Sequence, residues 1–421
     1  MEDPQVLNQM RSDWNERASE DAYYYVAFGR REQNDDEFFS TGAELVKSLA
    51  SECKRLPGRD AALEIGCGPG RLMRPLSRYF GEIHGVDVSD EMIRLAGERL
   101  RGVENAHPHH SSGADLAIFP DSRFDFVYSY AVFQHIPSRD VVFSYLREAW
   151  RVLKPGGILR CQLNGLPPHA KQYDTWSGVR VSPDEIREFA REQEFQLLAL
   201  EEIWTQYMWI TCRKPDGADM QAQEPAPVIR NISNALTGEA VAPASGPLAA
   251  LSLWIEGLTV GADLNSLAVT ADGRSCRLVY IGHPAADGIT QVNVILPEGI
   301  RTGLVPIELA PGGADGWIRV IPAGPAVARI VSVTDGINLL SPHRIVNRIV
   351  KVSMRDVTHP DQFRARVDDL PVAGMESFCT DQTKQTYEFN FHLPEAIAAG
   401  GHHLSLALGR REFAAIAIEV V

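Results

Sequence analysis

The stretch Leu63-Glu64-Ile65-Gly66-Cys67-Gly68-Pro69-Gly70-Arg71-Leu72 restricts this 421-residue chain more than any other. An apolar run, Ala61 to Ile65, enters it, and a helical pattern follows. Three glycines at alternate positions suit neither a helix interior nor a strand interior. They suit backbone that turns sharply and lets a ligand approach where a Cβ would otherwise stand. A second strand-like run, Glu82-Ile83-His84-Gly85-Val86-Asp87, ends in an acid 21 residues after Gly66. In a doubly wound sheet, a carboxylate at that place accepts hydrogen bonds from a ribose diol. Ser89 then reads as the N-cap of the next helix, with Asp90 and Glu91 in its first turn. Met92 falls near the ribose-adenine end of such a crevice, where a thioether packs well on a ring.

Strand and helix patterns continue to alternate up to about residue 214. Phe124 to Ser129 reads as a strand, Val141 to Trp150 as a helix, and Ser182-Pro183-Asp184-Glu185 as the capped start of another helix. Phe195 to Leu200 and Tyr207 to Cys212 read as a closing antiparallel hairpin. Alternation of this kind predicts βαβ units and a parallel sheet covered on both faces. Proline-rich, small and polar residues fill 215–227, the composition of a linker. Short strands with turn residues every 8–12 positions follow, the pattern of antiparallel sandwiches. The second half also repeats itself. Leu296-Pro297-Glu298-Gly299-Ile300 returns as Leu393-Pro394-Glu395-Ala396-Ile397, and Trp254 to Leu258 aligns with Ser353 to Val357. We therefore expect two β-sandwiches, over 228–330 and 331–421.

Several ordered blocks resemble the class I S-adenosylmethionine-dependent methyltransferases. They are E-I-G-C-G-P-G-R at 64–71, G-V-D-V-S-D-E-M at 85–92, Ala114-Asp115-Leu116, Phe119 to Asp125, Val132 to Ile136, and Arg151 to Gly157. The resemblance covers roughly 40–214 and implies a Rossmann-like seven-stranded domain over 1–214, with a helical lid at 1–40. It implies S-adenosylmethionine as cofactor. Glu64, Gly66, Gly68 and Gly70 would line the methionine moiety, and Asp87 would bind the ribose. Asp115 and the backbone of Leu116 would meet the adenine, and Tyr130 would lie near the cofactor chain. A nicotinamide dehydrogenase shares the glycine loop and the acid, but its G-x-G-x-x-G spacing is broken here by Arg71. The β modules resemble bacterial immunoglobulin-like sandwiches.

For catalysis the resemblance points to two places. The lid carries Tyr23-Tyr24-Tyr25, of which Tyr24 is the candidate to line the active site. His135, after the fourth strand, is a candidate base because histidine titrates near neutrality. His107-Pro108-His109-His110 reads as a solvated connection, and no metal site is expected. His169, Asp174 and Trp176 fall where substrate-binding insertions occur. The acceptor is expected to be a small molecule or sugar, with oxygen slightly preferred as the nucleophile. The sandwiches would hold a glycan, a carrier or a protein partner. A protein substrate and a cofactor-bound scaffold without turnover are the alternatives.

Charge narrows the partners. The chain carries 41 basic and 55 acidic side chains, a net of −14, shared equally between 1–214 and 215–421. Neither half has the basic surplus that drives nucleic-acid binding. No apolar run approaches the ~20 residues that span a bilayer, and the start of the chain has no signal-peptide pattern, so a cytoplasmic enzyme is expected.

Overall fold

The computed structural model describes all residues except 1–3, 28–30, 168–172, 217–225, 324–327, 338–341, 358 and 382–384. His169 and most of the expected linker thus lie outside the described residues. The chain divides into two compact units, Met1–Glu20 with Phe39–Gly324, and Asp21–Phe38 with Pro325–Val421.

In the first unit, β1 (Ala61–Ile65), β2 (Glu82–Asp87), β3 (Ala106–His110), β4 (Phe124–Ser129) and β5 (Leu153–Leu163) run parallel in the order β3-β2-β1-β4-β5. The hairpin β6 (Gln196–Glu201) and β7 (Met208–Arg213) closes the set, with β7 antiparallel to β5. β1 and β4 are buried along their whole length, as strands covered on both faces must be. The helices are α1 (Pro4–Ala27), α2 (Asp35–Ser51), α3 (Met73–Leu76), α4 (Asp90–Arg99), α5 (Arg139–Val152) and α6 (Pro183–Glu192). α1 breaks at Asp21, where φ is −164° and ψ 85°. Ser89, Ser138 and Ser182 cap α4, α5 and α6 through their hydroxyls, and Glu185 completes a capping box at α6. Among the described residues no helix is long and apolar enough to cross a membrane.

The His107 to His110 segment is not a solvated connection. It lies within β3, the edge strand of the sheet. Pro108 fits there because the outer side of an edge strand needs no N–H donor. His107 and His109 share a face with His84, whose Nδ1 lies 3.0 Å from His109 Nε2 and whose Nε2 lies 3.2 Å from Glu82. Burial and the neighbouring imidazoles hold the His84 and His109 pKa values below the ordinary histidine range.

The sheet does not end at β6. Strands β8 (Val228–Asn234), β9 (Val241–Pro243), β10 (Ala250–Glu256), β11 (Ala268–Ala271), β12 (Arg274–Ser275), β13 (Arg277–Ile281), β14 (Ile289–Ile295), β15 (Gly303–Ala310) and β16 (Ala314–Ile321) follow. Of these, β13-β14-β10-β8 extend the sheet to eleven strands through the pairing of Tyr280 with Ala199. Strands β12-β11-β15-β16-β9 form the second layer of the module. Both layers and the parallel sheet share one buried core, from Ala61 through Leu197 and Leu253 to Val320.

The second unit carries the repeat. It contains β17 (Arg329–Asp335), β18 (Arg344–Ile345), β19 (Ile349–Arg355), β20 (Phe363–Val367), β21 (Leu370–Pro371), β22 (Ala373–Asp381), β23 (Thr386–His392), β24 (Gly400–Leu408), β25 (Arg411–Glu412) and β26 (Ile416–Val420). Its layers are β17-β19-β23-β22 and β18-β26-β24-β20-β21, and residues from both form one core. Apart from the short β25, which pairs with β24, this is the connectivity of the first module, including one short parallel pair, β9 with β16 and β18 with β26. The C-terminal half is therefore all β.

Candidate active site

The three glycines adopt the backbone they were expected to need. Gly66, Gly68 and Gly70 have φ of +74°, +50° and +84°. A Cβ at Gly66 would overlap the Val132 side chain, so the bare glycine backbone packs directly against the post-β4 segment. The Gly66 and Cys67 N–H groups both donate to Val86 O, at 2.8 and 3.0 Å. The loop is thereby tied to the tip of β2, where Asp87 stands. One Asp87 oxygen accepts from Gly68 N–H at 2.9 Å and the other from Ser89 N–H at 2.9 Å. Desolvation raises the Asp87 pKa, and those N–H bonds oppose the rise. A rigid carboxylate on the ligand side of a glycine loop is the result.

Glu64, at the end of β1, is buried and accepts a hydrogen bond from Tyr128 OH at 2.8 Å. Desolvation pushes its pKa up to about 8, against the opposing pull of Tyr128 and Arg71. Arg71 carries a role the sequence reading did not give it. It is buried, its Cζ lies 5.5 Å from the Tyr130 ring, and its Nη1 donates to Thr41 at 3.2 Å. Its Nε has no hydrogen-bond partner among the described residues. A charged residue directly after a glycine run, within an otherwise apolar block, was the available signal. Tyr130 stacks on Trp209 at 5.9 Å, and Ala131 beside it holds a left-handed φ of +57°. Strain of this kind in a residue with a side chain collects at functional sites.

Met92 is fully buried, and its N–H donates to Ser89 Oγ at 3.1 Å. Asp115 is half-exposed and closes a short turn through Ala117 N–H at 3.0 Å. Leu116 differs from the expectation. Its N–H donates to Glu148 at 3.0 Å and its carbonyl accepts from Arg151 at 3.0 Å. The Glu148–Arg151 pair on α5 engages both backbone groups of Leu116.

On the other side of the crevice, the early turns of α1 reach the site. Asn15 Oδ1 accepts from Ser89 Oγ at 2.7 Å and from Glu91 N–H at 3.1 Å, which latches the helix onto the start of α4. Arg17 donates to Thr175 at 3.0 Å, and its Cζ lies 4.8 Å from the Trp14 ring and 5.4 Å from that of Trp176. Trp14 also meets His135 edge-on at 5.4 Å. His135 is buried, and its Nδ1 donates to the Trp176 carbonyl at 3.1 Å. Desolvation brings its pKa down to about 4. Tyr24 belongs to the second unit, where its ring meets Tyr25 at 5.2 Å and Arg31 at 4.4 Å. Asn15, Trp14 and Arg17 were not singled out from the sequence as site residues.

Residues 63–161 match the family model described as a methyltransferase domain. That segment is a methyltransferase domain. Its cofactor is S-adenosylmethionine. Over 149 residues the chain is 30% identical to phosphoethanolamine N-methyltransferase 2 of Caenorhabditis elegans, covering 35% of this chain and 31% of that protein. Over 141 residues it is 29% identical to the ubiquinone/menaquinone biosynthesis C-methyltransferase UbiE of Citrobacter koseri, covering 32% and 55%. The chain thus spans between a third and about half of the length of these relatives. A solved S-adenosylmethionine-dependent methyltransferase from Methanosarcina mazei aligns with a TM-score of 0.32 at 22% identity, covering 39% of this chain and 96% of that one.

The methyltransferase site fits its cofactor on its own geometry. Gly66, Gly68 and Gly70 bend the loop through left-handed backbone, Asp87 is held by two N–H groups with its carboxylate at the tip of β2, and Glu64 is a buried acid whose charge an ammonium would balance. This gives a pH signature. Below pH 4.5 Glu64 is protonated in both folded and unfolded chains. Between 4.5 and about 8 only the unfolded chain releases the proton, so stability of the cofactor-free protein falls as pH rises through that window. Each pKa unit is worth about 1.4 kcal/mol, so the loss amounts to several kcal/mol by the alkaline end. Glu64→Gln is expected to flatten the melting-temperature profile between pH 5 and 9 while weakening cofactor binding. A sloped profile in the variant would remove Glu64 as the cause.

Proposed function

We propose that this chain is an S-adenosylmethionine-dependent methyltransferase of small-molecule acceptors. The observation that carries the reading is the lock of Gly68 and Ser89 N–H groups on Asp87, set across from the buried Glu64. Bound there, S-adenosylmethionine supplies a methyl group made electrophilic by its sulfonium. The residues' own work is to hold, orient and exclude water. Glu64 would hold the methionine end of the bound group and Asp87 its ribose. Asn15, through Ser89 and Glu91, keeps α1 closed against that crevice. Trp14, Arg17 and Trp176 offer a flat, cationic face to an acceptor. Small acceptors are also what the names of the phosphoethanolamine and quinone relatives imply for those proteins.

A hydroxyl nucleophile needs a base, and His135 serves poorly as one. A general base works best with a pKa near the working pH, and burial holds His135 near 4. Its hydrogen bond to Trp176 makes it the peg that holds the 174–177 turn. We therefore favour an acceptor whose nucleophile has no proton left to lose, a thiolate or an activated carbon, over a hydroxyl or an ammonium. His135→Asn should leave kcat/KM within about threefold and keep the shape of its pH profile, against the 10²–10⁴-fold loss of a removed base. Loss of the acidic limb of that profile would restore His135 as a base. The first test of the whole reading is calorimetric titration with S-adenosylmethionine, followed by a screen of radiolabelled methyl transfer to amine, thiol, hydroxyl and carbon-acid acceptors. No binding to the cooperatively folded chain would defeat it.

A further inference from the structure

The first β module carries an aromatic and amide surface that methyl transfer does not use. Alternation along β10 and β14 sends Leu251, Leu253, Ile255, Val292 and Val294 into the core. Ser252, Trp254, Gln291 and Asn293 fall on the opposite face. Trp254 stands directly across from Gln291 on β14 and from Asn231 on β8. Neighbouring strands lie ~4.8 Å apart, so Asn231, Trp254 and Gln291 form one row about 10 Å wide. Trp254 is 37% exposed, and its ring meets no other aromatic ring among the described residues.

The amides beside the indole are held in place with groups to spare. Gln291 Nε2 donates to Ser252 Oγ at 3.1 Å and to Asn293 Oδ1 at 2.9 Å, and Ser252 Oγ donates to Asn293 Oδ1 at 2.8 Å. Both amides are oriented by these bonds, which leave Gln291 Oε1 and Asn293 Nδ2 unbonded. Neither atom is sealed from solvent. Asn231, on the far side of the indole, is exposed and offers a whole amide.

The repeat shows that the fold does not need this surface. In the same strand register the second module has Ser353 in place of Trp254, Lys351 in place of Ser252 and Glu388 in place of Gln291. There Lys351 Nζ meets Glu388 at 3.1 Å, a partly exposed ion pair. The first module has neutral groups and an indole instead. No member of its row titrates, and Arg230 and Glu256, next to Asn231 and two residues beyond Trp254, pair with each other. A charged ligand would find no free counter-charge here, and a purely apolar one would strip water from three amides. Protein interfaces gather their apolar anchors in a desolvated centre, whereas Trp254 stands in a row of amides. A sugar ring meets both kinds of group. Its C–H face packs on an indole, and its rim of hydroxyls donates and accepts as amides do.

We infer that this face of the first module binds a neutral oligosaccharide, one ring stacked on Trp254 and its hydroxyls on Asn231, Gln291 and Asn293.

The test is titration calorimetry of the full chain with cellohexaose, maltohexaose, laminarihexaose, chitohexaose, mannohexaose and xylohexaose, and with hexagalacturonate as the charged control. At least one neutral hexamer is expected to bind with a Kd of about 1 mM or tighter. Trp254→Ser should weaken it by about tenfold or more, and so should Ser252→Lys combined with Gln291→Glu. Both variants carry residues that the second module accommodates at the same places, and a cooperative melt reports that they are folded. Trp317→Ala, on β16 of the other layer, should leave binding unchanged. The inference is overturned if no neutral hexamer binds the folded chain, if hexagalacturonate binds as tightly, or if Trp317→Ala weakens binding while Trp254→Ser does not. It is overturned equally if Trp254→Ser leaves sugar binding intact and instead splits a dimer, which would make the face a contact with a second copy of the chain.

Discussion

Asp87→Ala is expected to abolish measurable S-adenosylmethionine binding while the protein still melts cooperatively. The carboxylate has two functions in one place. Toward the protein it accepts the Gly68 and Ser89 N–H groups. Toward the crevice it is the acceptor we propose for a ribose diol. Hydrogen bonds to a charged group contribute about 1.5–3 kcal/mol each, so losing two to the ligand costs roughly a hundredfold or more in affinity. Freeing the glycine loop adds to this, because Gly68 loses its tether. Asp87→Asn separates the contributions. An amide oxygen can still accept one N–H, so the loop should stay ordered while the diol loses its charged acceptor, and an intermediate loss is expected. Titration calorimetry of the three proteins decides the matter. Equal affinities in all three would remove Asp87 from the cofactor site and undo the placement of the crevice.

Much of that crevice is local in sequence, which is why it could be read there. The glycine spacing, the acid closing β2 and the Ser89 and Ser182 caps each depend on a handful of neighbouring residues. Strands β2 and β4 begin and end at the residues expected. The repeat was legible for a related reason. Equivalent strands keep fixed offsets, 97 residues between β14 and β23 and 99 between β10 and β19. What could not be read depends on contacts between distant segments. Asn15 meets Ser89 across 74 positions, and Glu148 reaches Leu116 across 32. The polar histidine run of β3 hid a strand, because at a sheet edge propensity and proline yield to what the neighbouring strand offers. The burial that lowers the basicity of His135 likewise comes from Trp14 and Trp176, one far before it and one after.

The joint between β6 and β13 is the largest of these long-range features, and it predicts that a chain cut after Lys214 will not hold its fold. By composition the methyltransferase domain is complete there. By structure its β6 edge is not. Beyond the pairing of Ala199 with Tyr280, Leu197 O accepts from Leu264 N–H at 2.9 Å and Leu197 N–H donates to Asp263 at 3.2 Å. Arg187 on α6 donates to the Leu264 and Leu278 carbonyls at 2.8 and 3.0 Å. Leu197 and Leu200, both buried, belong to the core shared with the module. Each hydrogen bond is worth about 1 kcal/mol, and each exposed aliphatic side chain about 1.5–3 kcal/mol. Together these losses rival the 5–15 kcal/mol that typically separates folded from unfolded chains. They also leave β6 as a bare apolar edge open to aggregation. Residues 1–214 are therefore expected to be insoluble, or to show secondary structure without a cooperative melt and without cofactor binding. Arg187→Ala in the full chain gives the graded version, a loss of roughly 1–3 kcal/mol from two carbonyls left unpaired. A soluble 1–214 fragment that melts sharply and binds S-adenosylmethionine as tightly as the full chain would show that the module adds nothing to the domain's stability.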